Sequence, residues 1–231
     1  MQTEMLSLIA KVESARDSFI NTKEKLSASN NTWDKKTDAR ITLFSKSINV
    51  LNDIQIGMIL IHYHLSRKDW WKMIATDPIP ENDIQIYLAE FIMFVKMGFL
   101  QFLFSSIESS FRLILKALDP NACSGGTAEF KNIYSSLLAR LGLGKWEPLL
   151  DLLRNTRNTI HNNGVYFHRS GRNEAVVYNG MTYSFVIGRP VDFVTWDFML
   201  ELLSELEKLF VEVVSHPDVS QITTIEDPFI T

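Results

Sequence analysis

"LLDLLRNTRNTIHNNGVYF" occupies residues 149–167, and the reading of the whole chain turns on it. At 100° per residue, Leu149, Leu152, Leu153, Thr156 and Ile160 fall within about 60° of one direction, the core stripe of an amphipathic helix. Pro148 suits the first turn of that helix, and Asn163-Gly164 suits a left-handed stop. Arg157, His161 and Arg154 fall at roughly 80°, 120° and 140° on the same wheel. They flank the core stripe and do not oppose it, and Asn158 extends the polar arc. The edge of a buried stripe lies where two elements meet, so this concentration of polar chemistry is placed at a groove or an interface.

Helical spacing extends outward in both directions. Residues 2–28 repeat apolar side chains at Met5, Leu8, Ile9, Val12, Ala15 and Phe19. After a polar break at 27–33, a second helix is expected over about 34–66. "TDPIPEND" at 76–83 carries two prolines and reads as a loop. A long helix is expected over about 83–118, ended by Asp119-Pro120, and a shorter one stops at Gly142. "GLGKW" at 142–146 lacks the glycine spacing of a phosphate loop and reads as a helix–helix turn. Within "EAVVYNGMTYSFVIG", Asn179-Gly180 between alternating apolar residues predicts a β-hairpin. A last helix is expected over about 192–214, followed by a loose tail. The fold class is therefore mainly α-helical, with one small hairpin before the last helix.

The chain has 231 residues, 46% of them hydrophobic, which is enough for a sizeable core. A formal net charge of −4 argues against a broad basic surface for nucleic acid, though not against a small local one. The single cysteine, Cys123, excludes internal disulfides and fits a reducing, cytoplasmic setting. No basic start followed by an apolar run is evident, so no signal peptide is expected. The one membrane candidate is "FIMFVKMGFLQFLFSSI" at 91–107. Lys96 and Gln101 interrupt it, and it reads as the buried central helix of a soluble protein or as a dimer seam.

The chemistry at 154–161 is specific in kind. An arginine matches a pair of phosphate oxygens. His161 lies in the last helical turn, where the helix dipole favours imidazolium and the two arginines oppose it, a balance suited to general acid–base work. With no metal-ligand spacing nearby, the combination suggests metal-free phosphodiester chemistry. In that chemistry a ribose 2′-hydroxyl attacks the adjacent phosphorus, His161 moves protons and an arginine holds the developing charge. The alternative reading of the same residues is capping, solvation and interface hydrogen bonding.

With Arg154-Asn155 followed by His161 after six intervening residues, the helix resembles the motif of the HEPN superfamily (higher eukaryotes and prokaryotes nucleotide-binding). Arg157-Asn158 also begins a plausible motif, but only three residues separate Arg157 from His161, which departs from the usual spacing. The resemblance covers 83–214 best. It implies an HEPN-like antiparallel helical bundle there, with the hairpin at 174–187 as an elaboration, an N-terminal helical extension at 1–75 and a tail at 215–231. It also implies a metal-independent endoribonuclease needing no cofactor and acting as a homodimer on RNA, in defence or toxin–antitoxin biology, with an antitoxin or other protein as a further partner. Arg154 would stabilise the transition state and His161 would be the acid–base. Asn155 would position the helix or the substrate, Arg157 would be a second phosphate contact, and Asn158 would extend the polar arc. The superfamily also contains members that bind or scaffold without cleaving.

Arg169 and Arg172 follow the motif in a loop and would extend a basic patch towards RNA phosphates; the alternative is a solvated loop. Glu108 would orient one of the motif arginines, or pair with Arg112 four residues on. His62 and His64 point about 160° apart on a helix and have no third ligand, so no metal site is expected. Catalysis requires His161 and an arginine to reach one open cleft, whereas a scaffold role predicts them buried or paired with carboxylates.

Overall fold

A computed structural model of the chain describes residues 2–160 and 162–228. It is mainly helical, with one two-stranded antiparallel sheet. In chain order the elements are α1 (Gln2–Ser29), α2 (Ala39–Leu60), α3 (Lys68–Ile74), α4 (Glu81–Leu118), α5 (Phe130–Arg140), α6 (Glu147–Ile160), β1 (Glu174–Tyr178), β2 (Met181–Phe185), α7 (Trp196–Ser215) and α8 (Pro217–Ser220). A π-helical turn, Ile61–Leu65, prolongs α2.

Local chemistry sets the helix ends. The expected second helix, 34–66, starts late because the Asp34 carboxylate accepts from the backbone N–H groups of Lys36 and Thr37, both at 2.8 Å. That turn satisfies the backbone outside the helix. Asp38 then caps α2 by accepting from Arg40 N at 3.0 Å. Helix α7 starts at Trp196 instead of about 192 because the Thr195 hydroxyl accepts from Phe198 N. The Asn163-Gly164 stop is as expected. Both residues have positive φ, and Gly164 N donates to Thr159 O at 2.9 Å. Asn179 and Gly180 also have positive φ, the pair of left-handed residues a tight hairpin turn needs, and Tyr178 pairs with Met181 across it.

One continuous core runs from α1 to the tail. Phe210 of α7 is the meeting point: Phe19 of α1, Phe44 of α2 and Phe111 of α4 each set their rings edge-on to it at 6.0–6.3 Å. The N-terminal helices thus share the core of the segment 83–214. A second, small core gathers Ile61, Leu65 and Leu88 under Trp70, Trp71, Phe91 and Ile92.

Two expectations need correction. The tail is not loose from 216 to 228. Arg40, with no exposed surface, pairs with equally buried Asp38 at 2.6 Å and donates to the backbone oxygens of Val219 and Ile222 at 2.8 and 2.7 Å. Its guanidinium lies 4.2 Å from the centroid of Trp33, Asp227 accepts from Thr42 and Lys46, and Ala39 N donates to Ile225 O. A charged side chain that can be buried only with several acceptors therefore holds the tail in place. The helix around 91–107 is not a buried central helix along its length. Helix α4 is long and apolar enough to cross a membrane, and only 22% of its most apolar 18-residue window is buried. Its C-terminal half enters the core; its N-terminal half packs by one side only.

Candidate functional site

Of the expected stripe on α6, Leu149, Leu152, Leu153 and Thr156 are buried and Ile160 is half-buried, while Leu150 is buried outside it. Arg154 and Arg157 flank them, half-buried, while Asn155 has no exposed surface. His161 lies outside the described residues.

The two arginines have different surroundings. The Arg154 guanidinium meets Glu174 at 3.4 Å and Asp151 at 3.5 Å. Glu174, at the start of β1, also accepts from the Asn155 amide at 2.7 Å, and its other oxygen lies 3.3 Å from His168 Nε2. One hairpin carboxylate thus draws together Arg154, Asn155 and His168. His168 stacks on Tyr166 and faces the Ser170 hydroxyl at 2.7 Å through Nδ1. On the other side of Arg154, Asp151 accepts from Lys131 and from the Tyr134 hydroxyl. Arg157 has no carboxylate partner among the described residues. Its guanidinium lies 4.7 Å from the centre of the Phe104 ring of α4, and among the described residues it donates to Asn158 Oδ1 at 3.5 Å.

Polar atoms that are buried and unpartnered gather here. Among the described residues, Arg154 Nε, Asn155 Oδ1, Thr156 Oγ1, Arg157 Nε and the Tyr166 hydroxyl are buried with no hydrogen-bond partner. Native structures carry few such atoms, so five within thirteen residues mark this helix end as chemically unusual. Burial pushes the Tyr166 hydroxyl up to about 12, and the nearby Glu174 charge adds to the shift while Arg154 opposes it. Burial, then the bond to Asp151, raises Tyr134 well above the usual tyrosine range.

The other sequence candidates lie apart from this network. Glu108 pairs with Arg112 at 2.8 Å within α4, and Arg112 also donates to Ala128 O, so Glu108 is engaged away from both motif arginines. The side chain of Arg169 is 93% exposed, 3.9 Å from Glu129, and Arg172 is exposed. His62 and His64 sit in the π-helical turn, and no metal-binding cluster occurs among the described residues. Sequence reasoning missed Asp151, Glu174, His168 and Tyr166. Asp151 was accessible as the i−3 neighbour of Arg154. Glu174 and His168 reach the site through the return of the hairpin, which no local spacing announces.

Two surface grooves lie elsewhere. One of about 710 Å³ runs between α1 and α7, and one of about 270 Å³ lies between the hairpin and α7. Neither is lined by Arg154 or Arg157. Comparison with family models, curated proteins and solved structures finds no match.

Proposed function

We propose that the chain is an HEPN-like, metal-independent endoribonuclease acting as a homodimer, with the C-terminal half of α6 as its phosphate-handling element. The observation that carries this reading is the set of unpartnered buried polar atoms on and beside that half-helix. Four of the five, the Nε–H groups of Arg154 and Arg157 and the hydroxyls of Thr156 and Tyr166, can donate to an anion, whereas Asn155 Oδ1 only accepts. Arg157, free of carboxylates among the described residues, is the guanidinium best placed to hold a phosphoryl oxygen. Arg154, already held by Glu174 and Asp151, positions Asn155 and the hairpin. This exchanges the roles that the motif spacing alone assigns to the two arginines. His161 remains the acid–base of the proposal on the strength of the sequence. Arg169 and Arg172 supply exposed positive charge for flanking phosphates.

A second reading has its own support. The carboxylate pairing of Arg154 and the full burial of Asn155 are what a non-catalytic scaffold predicts. Cleavage of varied RNAs in EDTA separates the two. The ribonuclease reading expects 2′,3′-cyclic phosphate ends, with activity abolished in folded His161→Ala and Arg157→Ala and lowered in Arg154→Ala. An inert wild type that remains folded supports the scaffold. Loss confined to Arg154→Ala returns the transition-state role to that residue.

A further inference from the structure

The hairpin packs closely against the core at one end and leaves a cavity at the other. Strand alternation puts Val176, Tyr178, Met181, Tyr183 and Phe185 on one face, with Val176 opposite Tyr183 and Tyr178 opposite Met181. Val176 and Phe185 are buried, Tyr178 and Tyr183 are half-buried and Met181 is exposed. The face therefore opens towards the Asn179-Gly180 turn. The space it leaves is the cavity of about 270 Å³ between the hairpin and α7, where the buried Leu152 and Leu202 meet the rings of Tyr178, Tyr183 and Phe198. Phe193 and Phe198 hold the Tyr183 ring, at 5.1 and 5.5 Å between centroids. Two carboxylates of α7, Glu201 and Glu205, line the same cavity, and no basic residue does. Glu205 has both oxygens engaged, one by Lys208 Nζ at 2.6 Å and the other by the Tyr178 hydroxyl at 2.8 Å. Glu201 has no hydrogen-bond or ion-pair partner among the described residues.

We propose that this cavity binds a small quaternary ammonium cation of the choline kind. Aromatic rings attract a cation through the negative charge on their faces, and the unpaired Glu201 gives the cavity a net negative field. The kind of cation follows from the acceptors on offer. A primary ammonium brings three N–H donors, and a hard metal ion needs several oxygen ligands. Glu205 and the Tyr178 hydroxyl are already bonded to each other, which leaves Glu201 as the one carboxylate of the cavity with both oxygens free. A methylated ammonium has no N–H to satisfy and spreads its charge over methyl groups, which rings and leucines contact well. The volume of about 270 Å³ lies just under the roughly 300–1,000 Å³ of drug-sized sites and suits a head group of that size. An anion attached close to the cation would meet the two carboxylates, so phosphocholine is the poorer ligand, free or as a lipid headgroup. The site uses none of the residues invoked for RNA cleavage and holds whether or not the chain cleaves RNA.

Titration of the isotope-labelled full chain with choline, followed by amide NMR, tests the proposal. Choline shifts resonances of the hairpin turn and the first half of α7 saturably, with a Kd of about 1 mM. Ethanolamine, the same molecule without the methyl groups, binds about tenfold more weakly, and so does phosphocholine. Glu201→Lys, at an exposed position of α7, weakens choline by about tenfold and leaves the melting temperature unchanged. Tyr178→Leu weakens it by about 2- to 30-fold, whereas Tyr178→Phe, which keeps the ring and loses the bond to Glu205, retains it. The absence of a saturable shift in these segments overturns the proposal. So does ethanolamine binding as tightly as choline, which reduces the site to unselective charge, or phosphocholine binding as tightly, which removes the carboxylates from it. An unchanged affinity in Glu201→Lys, or loss of binding in a folded Tyr178→Phe, overturns it as well. All these readouts are independent of cleavage, so this proposal and the ribonuclease reading fail separately.

Discussion

Replacing Arg40 by methionine should strongly destabilise the protein, and the structure gives the size of the effect. Arg40 and Asp38 have no exposed surface, and among the described residues their charges are compensated by the ion pair at 2.6 Å, by hydrogen bonds within the same clasp and, for Arg40, by the Trp33 ring. Removing one partner of a buried pair costs about 3–5 kcal/mol, because the other charge remains in low dielectric. The Val219 and Ile222 carbonyls also lose their donor, at about 1 kcal/mol together once local relaxation is allowed. Methionine retains much of the packing over Trp33, so the expected loss is about 4–6 kcal/mol, a third or more of the stability of a typical domain. With a urea dependence of about 3 kcal/mol/M, the midpoint falls by about 1.3–2 M. Adding Asp38→Asn should recover about 2–3 kcal/mol, since the amide oxygen still caps α2 and the stranded charge is gone. Urea denaturation followed by circular dichroism measures all three proteins. A midpoint shift for Arg40→Met below about 0.3 M, or a double variant less stable than the single one, would refute this account of the clasp.

Three further outcomes are expected. Glu174→Gln should cost about 1–2 kcal/mol by denaturation, because the Asn155 amide and the Arg154 guanidinium both lose an ionised acceptor that is about a quarter exposed. Gly57→Ala should destabilise by about 1–2 kcal/mol, since its Cβ would come within 3.0 Å of Val95 at the α2–α4 contact, and differential scanning calorimetry would report a lower melting temperature. Tyr166 has its folded pKa raised from 10.0 to about 12, so its contribution to stability is intact below pH 10 and is lost as pH rises towards 12. Tyr166→Phe should flatten the decline of melting temperature across that alkaline window, and an unchanged slope would remove Tyr166 as its source.

The parts of the fold that depend on neighbours in sequence were readable from sequence. The stripe on α6, the Asn163-Gly164 stop and the Asn179-Gly180 turn each follow from side-chain period or backbone dihedral demands within a few residues. What the sequence concealed depends on distant partners. Arg40 looks like an ordinary surface arginine until its acceptors arrive from about 180 residues away. Glu174 looks like a strand-edge glutamate until the hairpin folds it onto Arg154 and Asn155. Helix α4 misled for a different reason. Its apolar residues go nearly all round, and periodicity cannot tell a helix buried by its own chain from one that leaves an apolar face for another surface. Motif spacing favoured Arg154, but the difference between an arginine held by two carboxylates and one resting on Phe104 is a property of the assembled site.

The small core beneath Trp70 and Trp71 makes α4 one helix in geometry and two in stability. Residues 84–92 are held by a handful of contacts to Ile61, Leu65 and α3, whereas 103–115 are locked into the main core. Native-state hydrogen exchange should therefore change along a single unbroken helix. The first segment should exchange through a partial opening well below the free energy of global unfolding, and the second only when the whole chain unfolds. Whatever covers the exposed face of the first segment would then act as its missing core, raising its protection towards that of the second.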